Sequence, residues 1–154
     1  MRLERAIVNR QRGRRVDTWA LGAFVDRLVA TFPPARGDAL AVCLVSDRTM
    51  IGLQRTFRAR NTTTDVLSFP GGRRRDADGQ LHLGDIVVSV AQAERQARGP
   101  RRALAREIER LVLHGYLHLL GYDHERDDGE MARVERRLAR RLARGARRGG
   151  AGRR

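Results

Sequence analysis

Short apolar runs alternate along this chain with stretches in which apolar residues recur every three or four positions, the rhythm of strands followed by amphipathic helices. Residues 5–9, with Ala6, Ile7 and Val8, read as a first strand. Residues 16–31 carry Trp19, Leu21, Phe24, Val25 and Leu28 at helical spacing, with Asp17 near the start and Pro33-Pro34 as the stop. The unbroken apolar run 39–45 suits a buried strand. Ser46 can cap a helix over 47–58 that turns Met50, Leu53 and Phe57 inward. A strand at 66–69 ends at Pro70-Gly71-Gly72, and a charged, turn-rich loop leads to another strand at 83–88. Ser89 then opens a helix to Arg98, broken by Gly99-Pro100.

The longest periodic segment is 101–120. Leu104, Ile108, Leu111 and Val112 form one apolar face, and Leu113, Leu117 and Leu120 add the opposite one. A helix apolar nearly all round is a buried one. A last helix over about 128–143 follows, and residues 144–154 contain only Arg, Gly and Ala, a composition expected to be disordered. These elements predict a single α+β domain over 1–143, with about four strands in a mixed sheet packed with helices, and a separate tail over 144–154.

Composition adds a partner class. Thirty-two basic residues, all arginine, oppose 18 acids for a formal charge of +14. A coding preference for arginine explains the lack of lysine but not the excess of cations, which makes a polyanion the expected partner. Charge alone does not separate nucleic acid from anionic lipid. The single Cys43 lies in an apolar run and is expected to be a reduced core residue. No stretch approaches the roughly 20 apolar residues that span a bilayer, and residues 1–5 hold no apolar signal core, so a cytoplasmic protein is expected.

The chemistry concentrates in the eleven residues from His114 to His124, HGYLHLLGYDH, which hold three of the four histidines. Positions i and i+4 of a helix project side by side, so His114 and His118 can take two corners of one tetrahedral ion. Gly121 can end the helix in the left-handed conformation and return His124 as a third corner. Three nitrogen ligands leave a fourth position open, as in catalytic zinc sites. Asp123 and Glu125 flank the third ligand and are candidates to orient it. His82 has no partner at ligand spacing and stays outside the site. The register nearly reproduces the metzincin pattern H-E-x-x-H-x-x-G-x-x-H, but Gly115 stands where those proteases carry their general-base glutamate. A basic protein that keeps the metal ligands and lacks that base favours a phosphodiester over a peptide.

The eleven-residue motif, with Asn61-Thr62-Thr63-Thr64-Asp65-Val66-Leu67-Ser68-Phe69-Pro70 and Leu83-Gly84-Asp85-Ile86-Val87-Val88-Ser89, closely resembles the bacterial YbeY family, in order and spacing over about 7–142. The resemblance implies a zincin-like central helix and a single-strand-specific endoribonuclease. Its zinc ion (Zn2+) would be held by His114, His118 and His124. It further implies cytoplasmic work on RNA rather than DNA, in 16S rRNA 3′-end maturation and late quality control of the small ribosomal subunit. The family's cleft arginine falls on Arg58, with Arg60 the nearby competitor. An arginine there could clamp a phosphate through two parallel hydrogen bonds. Two other readings remain open: a metallopeptidase, and a ribosome-assembly binding protein whose zinc is mainly structural.

Overall fold

The structure is a computed structural model, and it describes residues 3–72 and 74–150. Four strands and five helices follow one another among them: β1 (Glu4–Asn9), α1 (Thr18–Thr31), β2 (Ala39–Val45), α2 (Asp47–Arg58), β3 (Val66–Pro70), β4 (His82–Ser89), α3 (Val90–Ala97), α4 (Arg101–Leu119) and α5 (Glu130–Gly150). The strands form one mixed sheet in the order β1-β2-β4-β3. β1, β2 and β4 run parallel, and β3 closes one edge antiparallel to β4. This is the α+β architecture that the apolar rhythm predicts.

β2 is apolar throughout because helices cover both of its faces. Leu40, Val42 and Leu44 enter the main core with Ile86 and Val88 of β4, against Phe24 and Leu28 of α1, Leu111 and Tyr116 of α4, and Leu138 of α5. Val45 turns the other way and joins Met50 of α2, Leu67 and Val87 in a smaller cluster. Cys43 is a free, half-buried thiol at the margin of that cluster, and burial pushes it above its usual pKa.

Helix starts are set by side-chain oxygens that accept otherwise unpaired backbone N–H groups. Asp17 caps α1 through Ala20, Ser46 caps α2 through Thr49, and Ser89 caps α3 through Gln92. α1 therefore begins at Thr18, two residues later than the periodicity alone suggests. Two apolar residues expected to face inward do not. Trp19 is 84% exposed and Phe57 is 62% exposed. Phe57 sits at the end of α2 beside β3, where the sheet ends and no further strand covers the ring. The last helix also runs further than expected. Its final buried residue is Leu142, yet the helix continues to Gly150, with Arg144 and Arg147 exposed. The segment holds arginine and alanine, which favour helix, and three glycines, which oppose it, and Ala143 to Arg147 are exposed. Residues 151–154 of the expected tail lie outside the described residues.

Candidate metal centre

His114 and His118 lie on the last turns of α4, and the way that helix stops decides their orientation. Gly121 has φ +100°. Its N–H donates to the His118 carbonyl at 3.0 Å, and the Tyr122 N–H donates to the Leu117 carbonyl at 3.1 Å. This pair of bonds is a Schellman stop, which needs a residue in the left-handed region after the helix. The stop fixes the Tyr122 carbonyl, which accepts a hydrogen bond from His118 Nδ1 at 3.0 Å. The Asp123 carboxylate then accepts the Glu125 N–H at 3.0 Å, tightening the turn that carries His124.

The second helical histidine is oriented from another element. His114 Nδ1 lies 3.3 Å from the Glu135 carboxylate on α5. A carbonyl and a carboxylate can only accept, so both Nδ1 atoms carry the proton and, in neutral rings, both Nε2 atoms are bare lone pairs. Those two lone pairs face each other at 3.2 Å. Such an arrangement is repulsive unless a cation lies between them. A tetrahedral zinc with bonds of 2.0–2.1 Å holds its nitrogens about 3.3 Å apart, so the spacing fits. One ligand atom from each of His114, His118 and His124 lies within 4.8 Å of the others. Burial, and then the neighbouring His114 and His124 rings, hold His118 below its usual pKa, which favours the neutral, ligating form.

Gly115 has a packing role. A Cβ there would meet Ile86 Cγ2 at 2.7 Å and Ser68 Oγ at 2.9 Å. α4 thus lies against β3 and β4 at a distance that only glycine allows, and Ser68 Oγ donates to the Gly115 carbonyl at 2.9 Å. The position where metzincins keep their catalytic glutamate is filled here by the sheet.

The family model described as Endoribonuclease YbeY matches residues 6–143. The chain belongs to the YbeY family. An Endoribonuclease YbeY of Anaeromyxobacter sp. (strain Fw109-5) is 49% identical over 108 residues, which cover 68% of this chain and 55% of that relative. One of Thermodesulfovibrio yellowstonii is 32% identical over 151 residues, covering 90% of this chain and 94% of the relative. The match spans only about half the length of the first relatives, 42% for that of Myxococcus xanthus. A Thermotoga maritima protein solved in solution superposes with a TM-score of 0.61 at 27% identity, over 94% of this chain and 93% of its own.

Among the residues singled out from the sequence of this YbeY-family chain, the three histidines come together. Arg58 does not join them directly. It is the last residue of α2, exposed, and donates to the Ser68 carbonyl at 3.3 Å. It reaches the metal helix through β3, because Ser68 also binds Gly115, the neighbour of His114. Arg60 is exposed beyond the helix stop, its backbone N–H donating to the Gln54 carbonyl. His82 pairs with Asp85 at 3.1 Å and is not among the three grouped histidines. Neither Asp123 nor Glu125 orients a ligand: Asp123 serves its own turn and faces Arg126, and Glu125 is exposed. Those roles fall to the Tyr122 carbonyl and Glu135. A backbone carbonyl leaves no trace in the residue pattern, but Glu135 leaves one. It is the single acid among ten arginines between 133 and 154.

Proposed function

We propose that this chain is a zinc-dependent endoribonuclease that cuts single-stranded RNA. Its setting is the cytoplasmic maturation of the 16S rRNA 3′ end and late quality control of the small ribosomal subunit. The observation that carries the chemistry is the approach of the His114 and His118 Nε2 atoms to 3.2 Å, with the third imidazole beside them and both Nδ1 atoms already engaged by oxygens. His114, His118 and His124 would hold the metal, and Zn2+ so bound supplies a Lewis acid and a water of near-neutral pKa. Three protein ligands are the number that leaves a position open to substrate. The close packing at Gly115 removes the protease base, and the formal charge of +14 favours a polyanionic substrate.

Arg58 is assigned to the scissile phosphate. Its guanidinium is anchored by a backbone carbonyl and retains donors for two-point contact with a phosphate. The test compares zinc-loaded protein with the His114→Ala and Arg58→Ala variants on single-stranded and duplex RNA. Single-stranded RNA should be cut by the parent protein and spared by His114→Ala. Arg58→Ala should lose roughly 100-fold in kcat rather than in KM. Arg58→Lys should rescue poorly, since an ammonium lacks the planar fork. Casein degradation by the parent protein, or an unchanged kcat in Arg58→Ala, would contradict the respective assignments.

A further inference from the structure

The end of α2 presents a solvent-facing aromatic ring and two guanidinium groups, each held by a neutral oxygen. Phe57 is 62% exposed. Its ring packs edge-to-face with Phe69 of β3, with centroids 5.3 Å apart and planes at 68°. That contact holds the ring from one side, and the rest of it faces solvent. Arg55 places Nε and Nη2 on the Asn61 side-chain oxygen at 3.1 and 2.6 Å, and Arg58 places Nη2 on the Ser68 carbonyl.

The arginine–carboxylate pairs among the described residues use Arg5, Arg14, Arg75, Arg95, Arg110 and Arg126. Arg55 and Arg58 are instead held by neutral oxygens, which fix their direction without cancelling their charge. They lie three residues apart on one flank of the helix, and Phe57 points about 100° round from Arg58 and about 160° round from Arg55, with Arg58 between the two. An exposed apolar ring costs solvation, and a fixed cation with no counter-charge attracts anions. One ligand answers both: a nucleotide, with an apolar face on its base and negative charge on its phosphates.

We propose that Phe57, Arg55 and Arg58 form a nucleotide subsite, in which an unpaired base stacks on Phe57 and the two guanidinium groups hold the adjoining phosphates. The inference rests on the RNA-cleavage reading and gives it a source of strand selectivity. A base inside a duplex is already stacked and paired and cannot offer its face to Phe57, whereas duplex phosphates remain available to the arginines. Stacking on an aromatic side chain is worth about 1–3 kcal/mol per base, which corresponds to roughly 5- to 100-fold in affinity.

The test is equilibrium binding of a fluorescently labelled single-stranded oligoribonucleotide, and of a duplex of equal length, to the full chain carrying His114→Ala so that no strand is cut. Phe57→Ala should weaken single-strand binding roughly 5- to 100-fold and change duplex binding less than twofold. Phe57→Leu keeps an apolar cover over Phe69 but has no π-face, and should behave as Phe57→Ala. Phe57→Tyr should restore binding. Parent-like affinity in Phe57→Leu, or equal losses on single strand and duplex in Phe57→Ala, would overturn the subsite. The two readings fail separately. If the parent protein cuts RNA while Phe57→Ala binds single strands normally, only the subsite falls; if the Phe57 pattern holds while no RNA is cut, only the cleavage reading falls.

Discussion

Individual side chains in the metal centre are held by partners on other elements, so the site can be weakened without touching a ligand. Glu135 is the clearest case. It reaches from α5 to His114 Nδ1 at 3.3 Å and keeps that ring turned so that Nε2 faces its neighbour. Acceptors of this kind typically contribute 10- to 100-fold in metal affinity. Glu135→Ala should therefore raise the zinc dissociation constant by about that factor, measured by competition with a chelator. Glu125→Ala should leave it unchanged; equal affinity in both variants would remove Glu135 from the site. The sequence shows the three ligands because helical spacing and a left-handed stop are local features. Glu135 serves His114 through a tertiary contact, which spacing along the chain does not encode, and Tyr122 serves His118 through a backbone carbonyl, which its side chain does not announce. Asp123 and Glu125 are the natural candidates by proximity, and proximity in sequence misleads here.

Element boundaries are legible at Ser46 and Ser89, whose hydroxyls cap α2 and α3, and less so at α1, where periodicity starts the helix at Val16, ahead of the Asp17 cap. α5 outruns its apolar stripe by eight residues past Leu142, three of them glycine, which the composition does not announce. Phe57 fits the inward stripe of α2 on spacing, yet the stripe extends past the edge of the sheet. The junction of α2 with β4 is not legible at all. Asp47 accepts hydrogen bonds from the buried Ser89 hydroxyl at 2.7 Å, from Thr63 at 3.3 Å and from Arg95. Burial alone would raise the Asp47 carboxyl, but these three donors override it and hold it below its usual pKa. A depressed carboxylate pKa adds stability above the unfolded value of about 3.9, and this is lost as pH falls through the lower folded value. Asp47→Asn should lower stability at pH 7 by about 1–2 kcal/mol. The gap between variant and parent should narrow below about pH 4, as followed by denaturant unfolding across pH. A gap that stays constant to pH 2 would show that the charge on Asp47 adds nothing.

The fold joins a conventional core to an excess of positive charge concentrated at its C-terminal end. No helix among the described residues is long and apolar enough to cross a membrane. α5 buries Met131, Val134, Leu138 and Leu142 and carries arginines on its remaining surface. Its far end, from Arg144, extends beyond the core, so it is expected to act as an arm that adds affinity without selection. Deleting residues 144–154 should reduce the slope of log K against log salt for single-stranded RNA by roughly 0.7 for each phosphate that the arm neutralises. Cut positions should not move, and altered cut sites would show that the arm takes part in choosing them.

We propose that three imidazoles, joined by one zinc, make this chain a nuclease for unpaired RNA. Metal-free protein titrated with zinc tests it most directly, with cleavage of a single-stranded oligoribonucleotide followed at each addition. Activity should be absent without metal, rise linearly and reach its plateau at one equivalent per chain, with the same titration on His118→Ala remaining flat. Cleavage that proceeds undiminished in the metal-free protein, or in His118→Ala, would contradict the claim.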